Sequence, residues 1–174
     1  MKKKILLSGV IILLFTANIY SQENHISFGL GALIPIDNIG VTAGPGLQMS
    51  WYNSKLFTSF MGLGVHAGVN VPMVFGDEGL KGIALVVSVI TGPAFTVFDN
   101  GTFSIPITAG LHFDYINGLV TKANVINLGL GVVSDFEWRI SQKLHAFFRL
   151  NMAVNFAGGF EFLLAPALGL GFNF

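Results

Sequence analysis

The chain has 174 residues, 52% of them hydrophobic and only 10% charged, whereas ordinary globular domains carry roughly 25% charged residues. So few charges cannot cover the surface of a soluble protein of this size, and this excludes a typical soluble domain. Because the formal net charge is zero and no basic stripe is present, the composition gives no basis for a nucleic-acid partner, and none is expected. The absence of cysteine excludes disulfides, thiolate metal sites, a cysteine nucleophile and a lipid-anchored lipoprotein.

The beginning of the chain has the layout of a secretory signal peptide. Three lysines precede an apolar run, Ile5–Phe15, and small and polar residues follow it. The alternative is an anchor helix, but the run is shorter than the ~20 apolar residues that a membrane span needs. Ser21 is the best small residue for cleavage and Ala17 the second best. We therefore expect a signal peptide over residues 1–21 and a single domain over residues 22–174.

Most of the remaining chain alternates apolar residues with small or polar ones. This two-residue period is typical of β-strands whose two faces lie in different surroundings. The alternating segments are His25–Pro35, Leu47–Trp51, Phe57–Asn70, Phe103–Tyr115, Ile126–Trp138, Leu144–Phe156 and Phe160–Phe174.

The segment Ile83–Phe98 is uncharged throughout and, taken alone, could be a membrane helix. A strand is favoured because the segment is rich in Val and Ile, contains Gly92-Pro93 and leads into "DNGT", a hairpin signal. Helical spans would also not produce the alternation of the neighbouring segments. A polytopic helical protein remains the alternative.

Together these segments predict an all-β fold, a closed eight-stranded antiparallel transmembrane β-barrel. An even number of strands brings both ends of the chain to one side, and closure leaves no unpaired edge in hydrocarbon. The expected breaks between strands are Asp37–Thr42, Asn53–Lys55, Val71–Lys81, Asp99–Thr102, Ile116–Lys122, Arg139–Lys143 and Ala157–Gly159.

The tripeptide "GLG" recurs four times, each time with leucine on the apolar face and glycine on the other. Inward glycines would relieve crowding in a narrow lumen, although chance recurrence is the alternative in a chain with 22 glycines. The four copies are Gly29–Gly31, Gly62–Gly64, Gly129–Gly131 and Gly169–Gly171.

The signal peptide, the eight alternating segments and the ending "GLGFNF" resemble the small eight-stranded outer-membrane barrels of OmpA, OmpX and OmpW type. The resemblance implies a monomer in the outer membrane of a diderm bacterium, with outer-membrane lipid and the barrel-assembly machinery as partners. It implies no cofactor and no specific activity. The family's C-terminal assembly signal is matched here by Leu168, Leu170, Phe172 and Phe174.

The charged residues in mid-strand have inward parity. A turn near Ser141 would place Glu137 opposite His145 and Arg149 diagonal to Asp135, and we expect these four to form a polar network that fills the lumen. A second group is expected towards the external mouth of the lumen. It consists of His66, His112, Asp114 and Glu161.

Three functions are compatible with this pattern. A structural or surface-interaction barrel needs only the filled lumen, whereas a conduit for small solutes or hydrophobic molecules, as the OmpW resemblance suggests, needs an open or laterally gated one. A lipid-modifying enzyme would need a serine, a histidine and a carboxylate in register, but His112-x-Asp114 has no such serine and His25-x-Ser27 lies at the wrong end. A metal site at His66 and His112 is disfavoured because nothing guarantees that they are adjacent. We expect no enzyme and no catalytic, metal or cofactor residue.

Overall fold

The computed structural model describes residues 24–36, 43–53, 55–58, 61–76, 79–118, 124–156 and 161–174, and for Phe75, Gly76 and Glu161 it describes the backbone. The predicted signal peptide lies outside these ranges. Among the described residues, no helix is long and apolar enough to cross a membrane. The strands are β1 (Asn24–Pro35), β2 (Gly44–Asn53), β3 (Gly62–Asn70), β4 (Met73–Gly76), β5 (Gly79–Asp99), β6 (Phe103–Gly118), β7 (Asn124–Arg139), β8 (Leu144–Asn155) and β9 (Glu161–Asn173).

Eight of these strands form a closed antiparallel barrel. Its order is β3-β2-β1-β9-β8-β7-β6-β5, and pairing of β3 with β5 closes the circle. β1 pairs with β9, so Asn24 and Phe174 exchange backbone hydrogen bonds at one end of the barrel. We call this end the lower rim, and the opposite end, where β1 ends at Pro35, the upper rim. The predicted eight-stranded barrel is confirmed.

The alternation along each strand separates an apolar outer face from the lumen. In β9, Leu168 is 65% exposed on the outside, whereas its neighbour Ala167 is 3% exposed on the inside. Phe172 and Phe174, half exposed, continue the outer face to the lower rim. A large exposed apolar surface of this kind is unsuited to water and suited to the hydrocarbon of a bilayer.

The uncharged segment Ile83–Phe98 lies within β5, a strand of 21 residues. Val86, Ile90 and Ala94 point inwards at even positions and are buried. The "DNGT" signal forms the turn to β6, where Gly101 has a φ of 85° and donates its N–H to the carboxylate of Asp99. The strand prediction is therefore confirmed against the helical alternative.

Several predicted breaks were wrong in position. The segment Val71–Lys81 is largely a hairpin, in which β4 pairs with the beginning of β5 beyond β3. Pro72 has no N–H to donate and separates β3 from β4, but strand structure resumes at Met73. Phe57 lies in a turn, where its N–H bonds the carbonyl of Met61, so β3 begins later than predicted. The predicted break Ile116–Lys122 began too early, because β6 continues to Gly118.

Two inward glycines make room for Phe147, a large apolar side chain in the lumen. The ring of Phe147, which is 2% exposed, lies against the backbone of Gly29 and Gly169. A Cβ at Gly169 would also collide with the backbone carbonyl of Phe28, which has no freedom to move away. At this level of the barrel, the "GLG" glycines therefore have the crowding-relief role predicted for them.

Candidate functional site

A buried ion pair occupies the lumen between β7, β8, β1 and β2. Arg149 Nε donates to Asp135 Oδ1 at 2.6 Å, and Nη2 donates to Oδ2 at 2.7 Å. The same Nη2 bonds the hydroxyls of Ser27 at 2.6 Å and Ser50 at 2.5 Å, and the guanidinium carbon lies 4.6 Å from the ring centre of Phe147. Because Arg149 is 0% and Asp135 1% exposed, the two charges compensate each other away from water.

The predicted register of β7 and β8 was wrong by two residues. Arg149 is directly opposite Asp135 rather than diagonal to it, and Glu137 is diagonal to His145 rather than opposite. The connecting turn is centred on Gln142, one residue later than predicted. A shift of one residue in the centre of a turn moves the pairing by two, so every side chain keeps its face. The inward parity was therefore right, and Arg149 still pairs with Asp135 while His145 still contacts Glu137, so only the register between the two strands was wrong.

A second cluster lies in the lumen at the lower rim, and we call it the lower cluster: Glu137, His145, His25 and Tyr52. The Tyr52 hydroxyl lies 2.9 Å from both carboxylate oxygens of Glu137, and Ser104 donates to Oε2 at 3.1 Å. His145 Nε2 lies 3.2 Å from Glu137 Oε1. The His25 ring stacks on Tyr52, with ring centres 4.2 Å apart. The four residues come from β1, β2, β7 and β8, and four other strands lie between β2 and β7 along the chain, yet the side chains converge on one carboxylate.

The four residues predicted for the lumen network are thus divided between the ion pair and the lower cluster. Sequence reasoning missed Tyr52, Ser27 and Ser50 and gave His25 no role in the lumen. All four have inward parity in β1 or β2, which is the signal that could have found them. Parity does not reveal that they reach across the lumen to β7 and β8.

Three of the four residues predicted for the external mouth lie together in the lumen, each 4% exposed or less. His66 Nε2 bonds Thr108 Oγ1 at 2.9 Å. His112 Nδ1 bonds Asn155 Oδ1 at 2.8 Å, and its Nε2 lies 3.0 Å from Asp114 Oδ1. The side chain of Glu161 lies outside the described residues.

His66, His112 and Asp114 line a cavity of about 20 Å³ whose other walls are largely apolar, including Ile90 and Leu163. A volume of this size holds about one water molecule. Neither histidine bonds a serine among the described residues, and His66 Nδ1 has no partner there. The cluster therefore lacks the hydroxyl, imidazole and carboxylate chain of a serine hydrolase.

A closed antiparallel barrel with an apolar outer face and a polar, side-chain-filled interior defines a small transmembrane β-barrel. No protein-family model matches the chain, and no curated protein matches it.

Solved structures of outer-membrane barrels do match. Neisserial surface protein A superposes with a TM-score of 0.68 at 8% identity, covering 87% of this chain and 97% of that one. OprG of Pseudomonas aeruginosa gives 0.61 at 10% identity, covering 88% and 96%. Ail, the attachment invasion locus protein of Yersinia pestis, gives 0.59 at 14% identity, covering 88% and 99%. The predicted resemblance is therefore confirmed for the fold, which is that of the small outer-membrane barrels.

Proposed function

We propose that this protein is a monomeric barrel of the outer membrane of a diderm bacterium, with a structural or surface-interaction role and no enzymatic activity. The observation that carries the proposal is the buried ion pair Arg149–Asp135, which occupies mid-lumen together with Phe147 and Val133. An eight-stranded barrel is just wide enough for side chains to fill it. A solute would have to displace this packing and break the ion pair.

Single-channel recording in planar bilayers tests the filled lumen. We expect no steady conductance from the wild-type protein. The variant Arg149→Ala/Asp135→Ala, which removes the ion pair, should show a small leak current. That current is the control, because it shows that the recording detects barrels inserted in the bilayer. Insertion is checked by strand-type circular dichroism and by the different mobility of boiled and unboiled samples in SDS gels. Stable, large currents from the wild type would contradict the proposal and favour the conduit.

The surface role is supported by the hairpin of β4 and β5 at the upper rim. It carries exposed apolar side chains, including Met73, Leu80 and Ile83, which could contact a partner or the outer leaflet. Among the proteins of similar fold, neisserial surface protein A is by its name a surface protein, and Ail is an attachment invasion locus protein. The proposal requires the upper rim to face the outside of the cell.

The absence of native cysteine allows a clean test of this orientation. Leu80→Cys, at the upper rim, and Ile140→Cys, at the lower rim, replace side chains that are 61% and 60% exposed. A membrane-impermeant maleimide should label Leu80→Cys on intact cells. It should label Ile140→Cys only after the outer membrane is permeabilised. The reverse pattern would contradict the proposed orientation.

A further inference from the structure

The lower cluster places three metal-ligating side chains around one point. Glu137, His145 and His25 each offer one ligand atom, and these atoms all lie within 4.8 Å of one another. They come from β7, β8 and β1, so the grouping is a property of the closed barrel. Two imidazoles and one carboxylate form a ligand set that suits divalent transition metals such as Zn²⁺.

His145 is the side chain whose environment points to a ligand. It is 0% exposed, and neither of its ring nitrogens has an aligned hydrogen-bond partner among the described residues. Its Nε2 lies 3.2 Å from Glu137 Oε1, close to the roughly 3.4 Å that separates two ligands of a tetrahedral zinc ion with bonds of about 2.0–2.1 Å. A buried imidazole without aligned hydrogen bonds is costly, and a bound cation would satisfy it.

The carboxylate is already oriented for such a role. Glu137 accepts hydrogen bonds from Tyr52 and Ser104, which are neutral donors and hold the carboxylate without adding a positive charge. Tyr52 also stacks on His25, so one residue positions two of the three ligands. Outer-shell partners of this kind fix ligand orientation in metal sites.

The backbone of β9 leaves room for the His145 ring, and the position of His25 at the rim lets its ring approach the other two ligands. Gly171 in β9 faces the His145 ring, and a Cβ there would collide with Nε2. His25 is half-buried at the lower rim, so its ring can move by the ångström or so that tetrahedral coordination requires.

We propose that His25, Glu137 and His145 bind one divalent transition-metal ion of the Zn²⁺ class, with solvent from the lower rim in the fourth position. The ion would tie β1 to β7 and β8 across β9 and neutralise the buried carboxylate. This site differs from the His66 and His112 pair considered from the sequence, whose ring nitrogens bond Thr108 and Asn155.

Metal titration of the purified barrel tests the site. The protein is produced without a polyhistidine tag, stripped of metal with a chelator, and titrated with Co²⁺ as a spectroscopic probe. One equivalent should give the visible absorption of a tetrahedral Co²⁺ site, and Zn²⁺ should displace it. Zn²⁺ should also raise the thermal unfolding midpoint.

The chain contains four histidines, which supplies matched controls. His25→Gln and His145→Gln should each lose the Co²⁺ spectrum and the Zn²⁺-dependent thermal shift, whereas His66→Gln and His112→Gln should keep both. Tyr52→Phe retains an aromatic ring against His25 but loses the hydroxyl that orients Glu137. It should therefore weaken Zn²⁺ binding about 10–100-fold.

Absence of the Co²⁺ spectrum in the wild type would overturn the proposal. Unchanged Zn²⁺ affinity in His25→Gln would do so as well, as would loss of binding in His66→Gln or His112→Gln instead. If His145→Gln fails to fold, His25→Gln decides the outcome, because its side chain is at the rim and its loss leaves the packed lumen intact.

Discussion

Replacing Arg149 by methionine removes the cation from a fully buried ion pair of the lumen while keeping most of the side-chain volume. The guanidinium donates two hydrogen bonds to Asp135 and one each to Ser27 and Ser50. Its loss leaves a carboxylate that is 1% exposed without a counter-charge. Breaking such a pair on one side costs about 3–5 kcal/mol. We therefore expect the free energy of unfolding of Arg149→Met to fall by this amount.

The chain contains a matched control on its surface. Arg139 contacts Asp99 at 2.7 Å, a distance like that of the buried pair, but the two side chains are 32% and 42% exposed. Solvent-exposed ion pairs contribute only about 0–1 kcal/mol. Arg139→Met should therefore change stability far less than Arg149→Met, although the same chemical group is removed.

Urea unfolding of the refolded barrel, followed by tryptophan fluorescence and gel mobility, measures both effects. The double variant Arg149→Met/Asp135→Leu should recover about 2 kcal/mol or more of the loss, because no unpaired charge remains. Ser27 and Ser50 can still bond each other, since their hydroxyl oxygens are 2.7 Å apart. Equal losses for Arg149→Met and Arg139→Met, or a double variant no more stable than the single one, would refute the reasoning.

The remaining predictions test the two faces and the inward glycines. Phe174→Ser should leave secretion intact and lower the amount of barrel assembled in the outer membrane, measured by fractionation; normal assembly would show that the C-terminal signal is spurious. Leu150→Arg, on the outer face, should cost about 2–4 kcal/mol in bilayer unfolding, and Asn151→Arg, which points into the lumen, should cost less; equal penalties would mean a wrong strand register. Gly169→Ala, which meets a backbone carbonyl, should cost about 1–3 kcal/mol by overpacking. At Gly131 the atoms nearest to an added Cβ belong to the Ile90 side chain rather than to backbone, so Gly131→Ala should cost less; the opposite order in urea unfolding would contradict the crowding role of the backbone contact.

The sequence by itself determined that eight strands form the barrel and on which face of each strand the side chains lie, although it missed the short strand β4. Alternation is a local property, because successive side chains in a strand point to opposite faces whatever the partner strand is. The even count and the apolar outer face then leave a closed barrel as the structure that pairs every backbone group in a bilayer. The inward positions of Asp135, Glu137 and Arg149 follow from the same parity.

Which inward residues meet was decided only by the tertiary structure. Ser27 and Ser50 are 122 and 99 residues from Arg149, and Tyr52 is 85 residues from Glu137. Contacts across the lumen depend on the stagger with which the whole sheet closes, and no single segment encodes that stagger. The register of β7 and β8 likewise depended on where the turn is centred, at Ser141 or at Gln142. The two choices differ by two residues in the pairing and leave every side chain on the same face, so the alternation of the sequence cannot distinguish them.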